Sequence, residues 1–135
     1  MQQDAAFRAA VIAYTAALRP GSGPDPRTAA ALCRHAIERY PTDAACRGAH
    51  GAALYWVGHY KAAGKELEEA VKLQGDQGSI WQQLFLAMAY KRLGQPGGAR
   101  GWFDKARLGP QADWQRRLVY QRLEAEVDDV LKILA

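Results

Sequence analysis

Gly51-Ala52-Ala53-Leu54-Tyr55-Trp56-Val57-Gly58-His59-Tyr60-Lys61-Ala62-Ala63, followed by Leu67 and Ala70, is the stretch that decides the fold. It reads as two helices joined by a turn of about two residues at Gly58-His59. Helices linked so tightly must pack side by side, so their contact positions require Gly or Ala. Gly51, Ala63 and Ala70 meet that need, with Leu67 as the larger knob between them. A helix-interior Gly costs about 1 kcal/mol relative to Ala, and close packing at Gly51 is the compensation expected.

The same pattern recurs on both sides. At a shift of 36 residues Gly51 falls on Ala87, Leu54 on Tyr90, Gly58 on Gly94, Ala63 on Ala99, Leu67 on Phe103 and Ala70 on Ala106. At a shift of 34, Ala29 falls on Ala63, Cys33 on Leu67 and Ala36 on Ala70. A period of this length marks a helical repeat array. Three units follow: about 3–41 with an inserted loop at 19–26, about 43–75, and about 79–109. Within them, helices are predicted from Pro26 to about Tyr40, from Thr42 or Asp43 to Val57, from Tyr60 to about Leu73, from Ser79 to Gly94 and from Pro96 to about Leu108. Asp25 before Pro26 is the predicted N-cap of the first, and Ser79 with Gln82 resembles a capping box. A leading helix at 3–19 and a long closing one at about 111–134 complete an all-α chain.

Composition agrees with one domain. The 135 residues are 49% hydrophobic, with a net charge of +4, which suits a globular core without structural metal or disulfides. Twelve residues separate Cys33 from Cys46. Two buried free thiols are expected there, over a disulfide or half a metal site. No apolar run reaches the roughly 20 residues of a membrane span, and a cytoplasmic location follows by default. No catalytic motif is present: G-x-S-x-G, Walker A, H-E-x-x-H and G-x-G-x-x-G are all missing. No catalytic residue, cofactor or metal is therefore expected. His50, next to Gly51, reads as a hydrogen-bonded interior residue, and His59 as a turn residue.

The two runs from Gly51 to Ala70 and from Leu86 to Ala106 resemble tetratricopeptide (TPR) repeats, and Ala29, Cys33, Ala36 and Pro41 resemble the second half of a third. In character the chain is similar to the TPR segments appended to bacterial multidomain signalling proteins. The resemblance implies a right-handed α-solenoid of three helix pairs with a long C-terminal capping helix. It departs from the family at the loop 19–26 and at Gly75, where a proline is usual.

The resemblance also implies that function sits on a concave face made by the first helix of each pair, binding a peptide or helix. The residues implied there are Tyr55 and Trp56 of the second repeat, then Trp81, Leu84, Met88, Lys91 and Arg92 of the third. The spacing 81, 84, 88, 91/92 puts the latter group on one helical face by itself. Trp56 and Trp81 are expected to be partly exposed, with the best-formed pocket between their helices. The basic rim points to an acidic ligand. The Lys/Asn/Arg clamp that grips a C-terminal carboxylate in some TPR proteins is missing: Gly48, Ala52, Trp81 and Phe85 stand at its positions. Small residues at Ala45, Gly48 and Ala52 leave open that bulky neighbours fill this space internally. Two other functions are weighed. The apolar stripe Trp114, Leu118, Leu123, Val127, Val130, Leu131 and Leu134 of the closing helix either caps the array or, from Leu123 to Leu134, forms a homodimer seam. The arginines between Arg100 and Arg122 either make a solvated face or bind RNA phosphates, although nucleic acid is the less expected partner.

Overall fold

A computed structural model describes residues 25–75 and 78–108, with positions 117, 121 and 132 beyond them. Five helices fill the continuous part: α1 (Pro26–Arg39), α2 (Ala44–Val57), α3 (Tyr60–Gln74), α4 (Ile80–Arg92) and α5 (Pro96–Leu108). No strand occurs among the described residues. The predicted helix at 3–19, the loop 19–26 up to Pro24, and most of the predicted closing helix lie outside them. Arg117, Gln121 and Lys132 are helical and exposed.

The helix ends follow from local chemistry. Asp43 caps α2 by accepting the Cys46 N–H at 3.1 Å. Gly58 closes it in the left-handed region at φ 102°, and its N–H and that of His59 both reach the Leu54 carbonyl. The Ser79–Gln82 capping box is complete. Gln82 N–H donates to Ser79 Oγ at 3.3 Å, and Ser79 N–H donates to Gln82 Oε1 at 2.9 Å. Gln82 is buried, so its amide needs a further partner and donates to Gln74 Oε1 at 2.9 Å. Two ends differ from the sequence reading. Asp25 occupies the N-cap of α1 without a side-chain cap bond. The helix expected to run to Gly94 stops at Arg92, with Gly94 following at φ 73°.

Neighbouring helices pack in sequence order, α2 on α3 and α4 on α5 most closely, with α1 on α2 and α3 on α4 joining the pairs. The recurring triplets supply the contacts. Ala29, Cys33 and Ala36 in α1, Ala63, Leu67 and Ala70 in α3, and Ala99, Phe103 and Ala106 in α5 are all buried. A Cβ built on Gly51 would lie 2.6 Å from Leu67 Cγ and 3.1 Å from the Ala63 carbonyl oxygen. The small residue at this position is therefore a steric requirement of the α2–α3 approach. At Gly98 the approach of α4 and α5 is looser, with the Tyr90 ring 3.2 Å from the place of the missing Cβ. Arg47 ties the α1–α2 connection to α3. Its Nε donates to the Pro41 carbonyl at 3.0 Å, and Nη1 to Glu66 Oε1 and Oε2 at 3.0 and 3.3 Å.

Candidate interaction surfaces

The predicted site residues divide between the core and the surface. Tyr55, Leu84 and Met88 are 2%, 1% and 1% exposed, which corrects the expectation that they line an open face. The reason lies in α4 itself. A helix apolar on every side is buried on every side, and α4 packs against α2, α3 and α5. From Gln82 to Ala89 every residue is buried. Trp56 and Trp81 are partly exposed, Lys91 is half-buried and Arg92 exposed.

Some of these residues meet. The Tyr55 ring stands edge-on to Trp56 at 5.2 Å and to Phe85 at 5.7 Å between centroids, and lies 5.3 Å from Tyr60. Trp56 is edge-on to Phe85 at 6.2 Å. Such geometry is the favourable one for ring quadrupoles. Arg92 donates from Nε to Tyr55 Oη at 3.4 Å, and its guanidinium carbon lies 5.8 Å from the Tyr60 centroid. Buried Tyr55 and Phe85 thus form the base of an edge whose outer members are Trp56, Tyr60 and Arg92. Trp81 packs against the same core, though no ring contact links it to this cluster. Tyr60 opens α3, the second helix of its pair, and so lies outside the first-helix positions that the resemblance implies. The repeat offset offers no help, since Pro96 stands in its place in the next unit.

Among the described residues two grooves are formed, and neither is lined by Trp56 or Trp81. One of about 310 Å³ runs between α1 and α2, with Arg27 and Arg34 on one wall and His50, Leu54 and Val57 on the other. His59 lines its end and also lines a second groove beside Tyr60, Lys61, Lys65 and Leu93. His50 is mostly buried as expected, but its Nδ1 lies 3.4 Å from Glu66 Oε2 without forming a hydrogen bond. Burial works to raise the Glu66 carboxyl; His50 and Arg47 beside it outweigh that and hold it below its ordinary 4.5.

Cys33 and Cys46 are free thiols, fully buried in the α1–α2 core. Burial, then the neighbouring Cys46, pushes Cys33 up to about 12. Burial followed by the charge and hydrogen bond of Asp43 pushes Cys46 up to about 11. Neither is a nucleophile at neutral pH. Among the described residues no group of His, Cys, Asp and Glu is arranged to hold a metal, and no helix is long and apolar enough to cross a membrane. Comparison with protein-family models, curated proteins and solved structures gave no match.

Proposed function

We propose that this chain is a non-catalytic protein-interaction module of the tetratricopeptide type, binding a peptide or helix through the aromatic edge of Trp56, Tyr60 and Arg92. The repeat reading draws support from the burial of the same triplet in α1, α3 and α5. The observation that carries the binding reading is the edge itself. Two partly exposed aromatic rings, Trp56 edge-on and Tyr60 tilted, pack on the buried Tyr55 ring beside the exposed Arg92. Rings fixed this way lose little entropy on binding, and Trp, Tyr and Arg are the side chains that dominate interface energies. Lys91 and Arg92 favour a ligand with an acidic residue. Leu84 and Met88 support the edge from within and do not touch ligand.

The test is capture of a partner from native cell extract, followed by affinity measurement with the Lys91→Ala/Arg92→Ala double variant. We expect roughly tenfold weaker binding, with a shallower salt dependence than the parent. Unchanged affinity in the double variant and in Tyr60→Ala would reject the edge as the binding surface.

A further inference from the structure

The two grooves that meet at His59 differ in chemistry from the aromatic edge. On α1, Arg27, Ala30, Ala31 and Arg34 have the spacing of a single helical face, and this face is additional to the one carrying Ala29, Cys33 and Ala36 into the core. On α2, His50, Leu54 and Val57 do likewise. That stripe is turned roughly 140° from Tyr55 around the helix axis, at 100° per residue. The wall so formed is apolar at its floor and basic at its rim. Among the described residues, no acidic side chain lines either groove. The nearest carboxylate on the α3 side, Glu66, is engaged by Arg47 and faces His50, so its charge is already compensated. Past His59 the second groove continues the pattern with Lys61 and Lys65 beside Leu93.

We infer that these two grooves, Arg27 and Arg34 lining one, Lys61 and Lys65 the other and His59 both, together form a second binding surface for an extended acidic peptide segment of a partner protein. Carboxylate side chains of the ligand pair with the four cations, and an apolar side chain between them rests on Leu54 and Val57. Three features favour this occupant. Every Arg, Lys, Asp or Glu that lines either groove, among the described residues, is basic. The volume near 310 Å³ admits side chains. The floor is aliphatic, whereas single-stranded nucleic acid calls for a row of aromatic faces on which successive bases stack; among the described residues, Tyr60 is the one Phe, Tyr or Trp lining these grooves.

The second groove shares Tyr60 with the aromatic edge, and the experiment separates the two surfaces through the residues they do not share. The isotope-labelled full chain is titrated by NMR with a short peptide of alternating Glu and Leu, with its Gln/Leu counterpart, and with oligouridylate. Expected is saturable movement of the amides of Arg27, Ala31, Arg34, Val57, His59, Lys61 and Lys65 with the Glu/Leu peptide alone. Arg27→Ala/Arg34→Ala and Lys61→Ala/Lys65→Ala should each weaken it about tenfold, while Arg92→Ala leaves it within about twofold. All four replaced residues are exposed, and an unchanged thermal melt will show that the variants fold. Equal binding of the Gln/Leu peptide, tighter binding of oligouridylate on the same amides, or no shifts at these positions would each overturn the inference. Movement confined to Trp56, Tyr60 and Arg92 would overturn it too, and leave the aromatic edge standing.

Discussion

Gly51 shows how much one missing methyl group decides. Alanine there gains about 1 kcal/mol of helix propensity, but its Cβ would sit 2.6 Å from Leu67 Cγ, a buried atom with no room to retreat. Overpacking of this kind costs about 1–3 kcal/mol. We therefore expect Gly51→Ala to lower the unfolding free energy by up to about 2 kcal/mol in urea denaturation, against the propensity scale. A stabilised variant would mean that α2 and α3 are less closely apposed. The cysteines give a second residue-scale expectation. Both are buried, with pKa values raised to about 12 and 11. Iodoacetamide at pH 8 should alkylate them only as fast as the protein opens, and rapid modification of either thiol in the folded state would contradict their placement.

For a single helix, the ends and the contact surface carry separate energies. The α4 N-terminus depends on reciprocal bonds between Ser79 and Gln82, and Gln82 also reaches back to Gln74 at the end of α3. Ser79→Ala removes one cap acceptor and should cost about 1 kcal/mol. Gln82→Ala should cost more, because it leaves Gln74 and the Ser79 N–H without their partner in a part-buried site. Chemical denaturation of the two variants will rank them, and equal effects would show that the Gln82–Gln74 bond contributes nothing. At the contact surface, Ala99→Leu forces a larger side chain into the fully buried α4–α5 seam and should lose about 1–3 kcal/mol.

Across the whole molecule, stability is bounded by pH on both sides. Glu66 is held below its ordinary 4.5, so its contribution is present above that value and disappears as pH falls through the lower folded value. Its side chain is one-fifth exposed, and solvent screens the pair, so the acid-side loss should be on the order of 1 kcal/mol. Cys33 and Cys46 have the opposite sign. Their folded values lie above the ordinary 9.0, so the buried thiols favour folding below pH 9, and that contribution is lost as pH rises towards 11–12. Thermal melts across pH should thus show a plateau between these limits. Arg47→Ala should flatten the fall on the acid side, because a Glu66 carboxyl less firmly held down differs less from its unfolded value. An alkaline edge that persists in a Cys33→Ala/Cys46→Ala variant would assign it to other groups.

The helices and their contact residues were legible in the sequence, because they depend on short-range rules. Pro26, Asp43, Gly58, Ser79 and Pro96 mark boundaries through backbone geometry that each residue carries with it. Ala63, Ala70, Ala99 and Ala106 were placed at buried contacts by a period that needs no coordinates. Trp56 and Arg92 were also named from their position in the repeat. Which side chains stay accessible depended on packing from several directions at once. Leu84 and Met88 share a helical face with Trp81, and spacing alone could not tell an open stripe from one closed by neighbours; α4, held by three other helices, buries both. Tyr60 joined Arg92, and Arg27 came to face His50, only through contacts between residues 23 to 32 positions apart in the chain. Local sequence fixes where a helix starts and which residues share its faces. What each face meets is a property of the other helices, and for this protein that arrangement draws the surfaces proposed to bind.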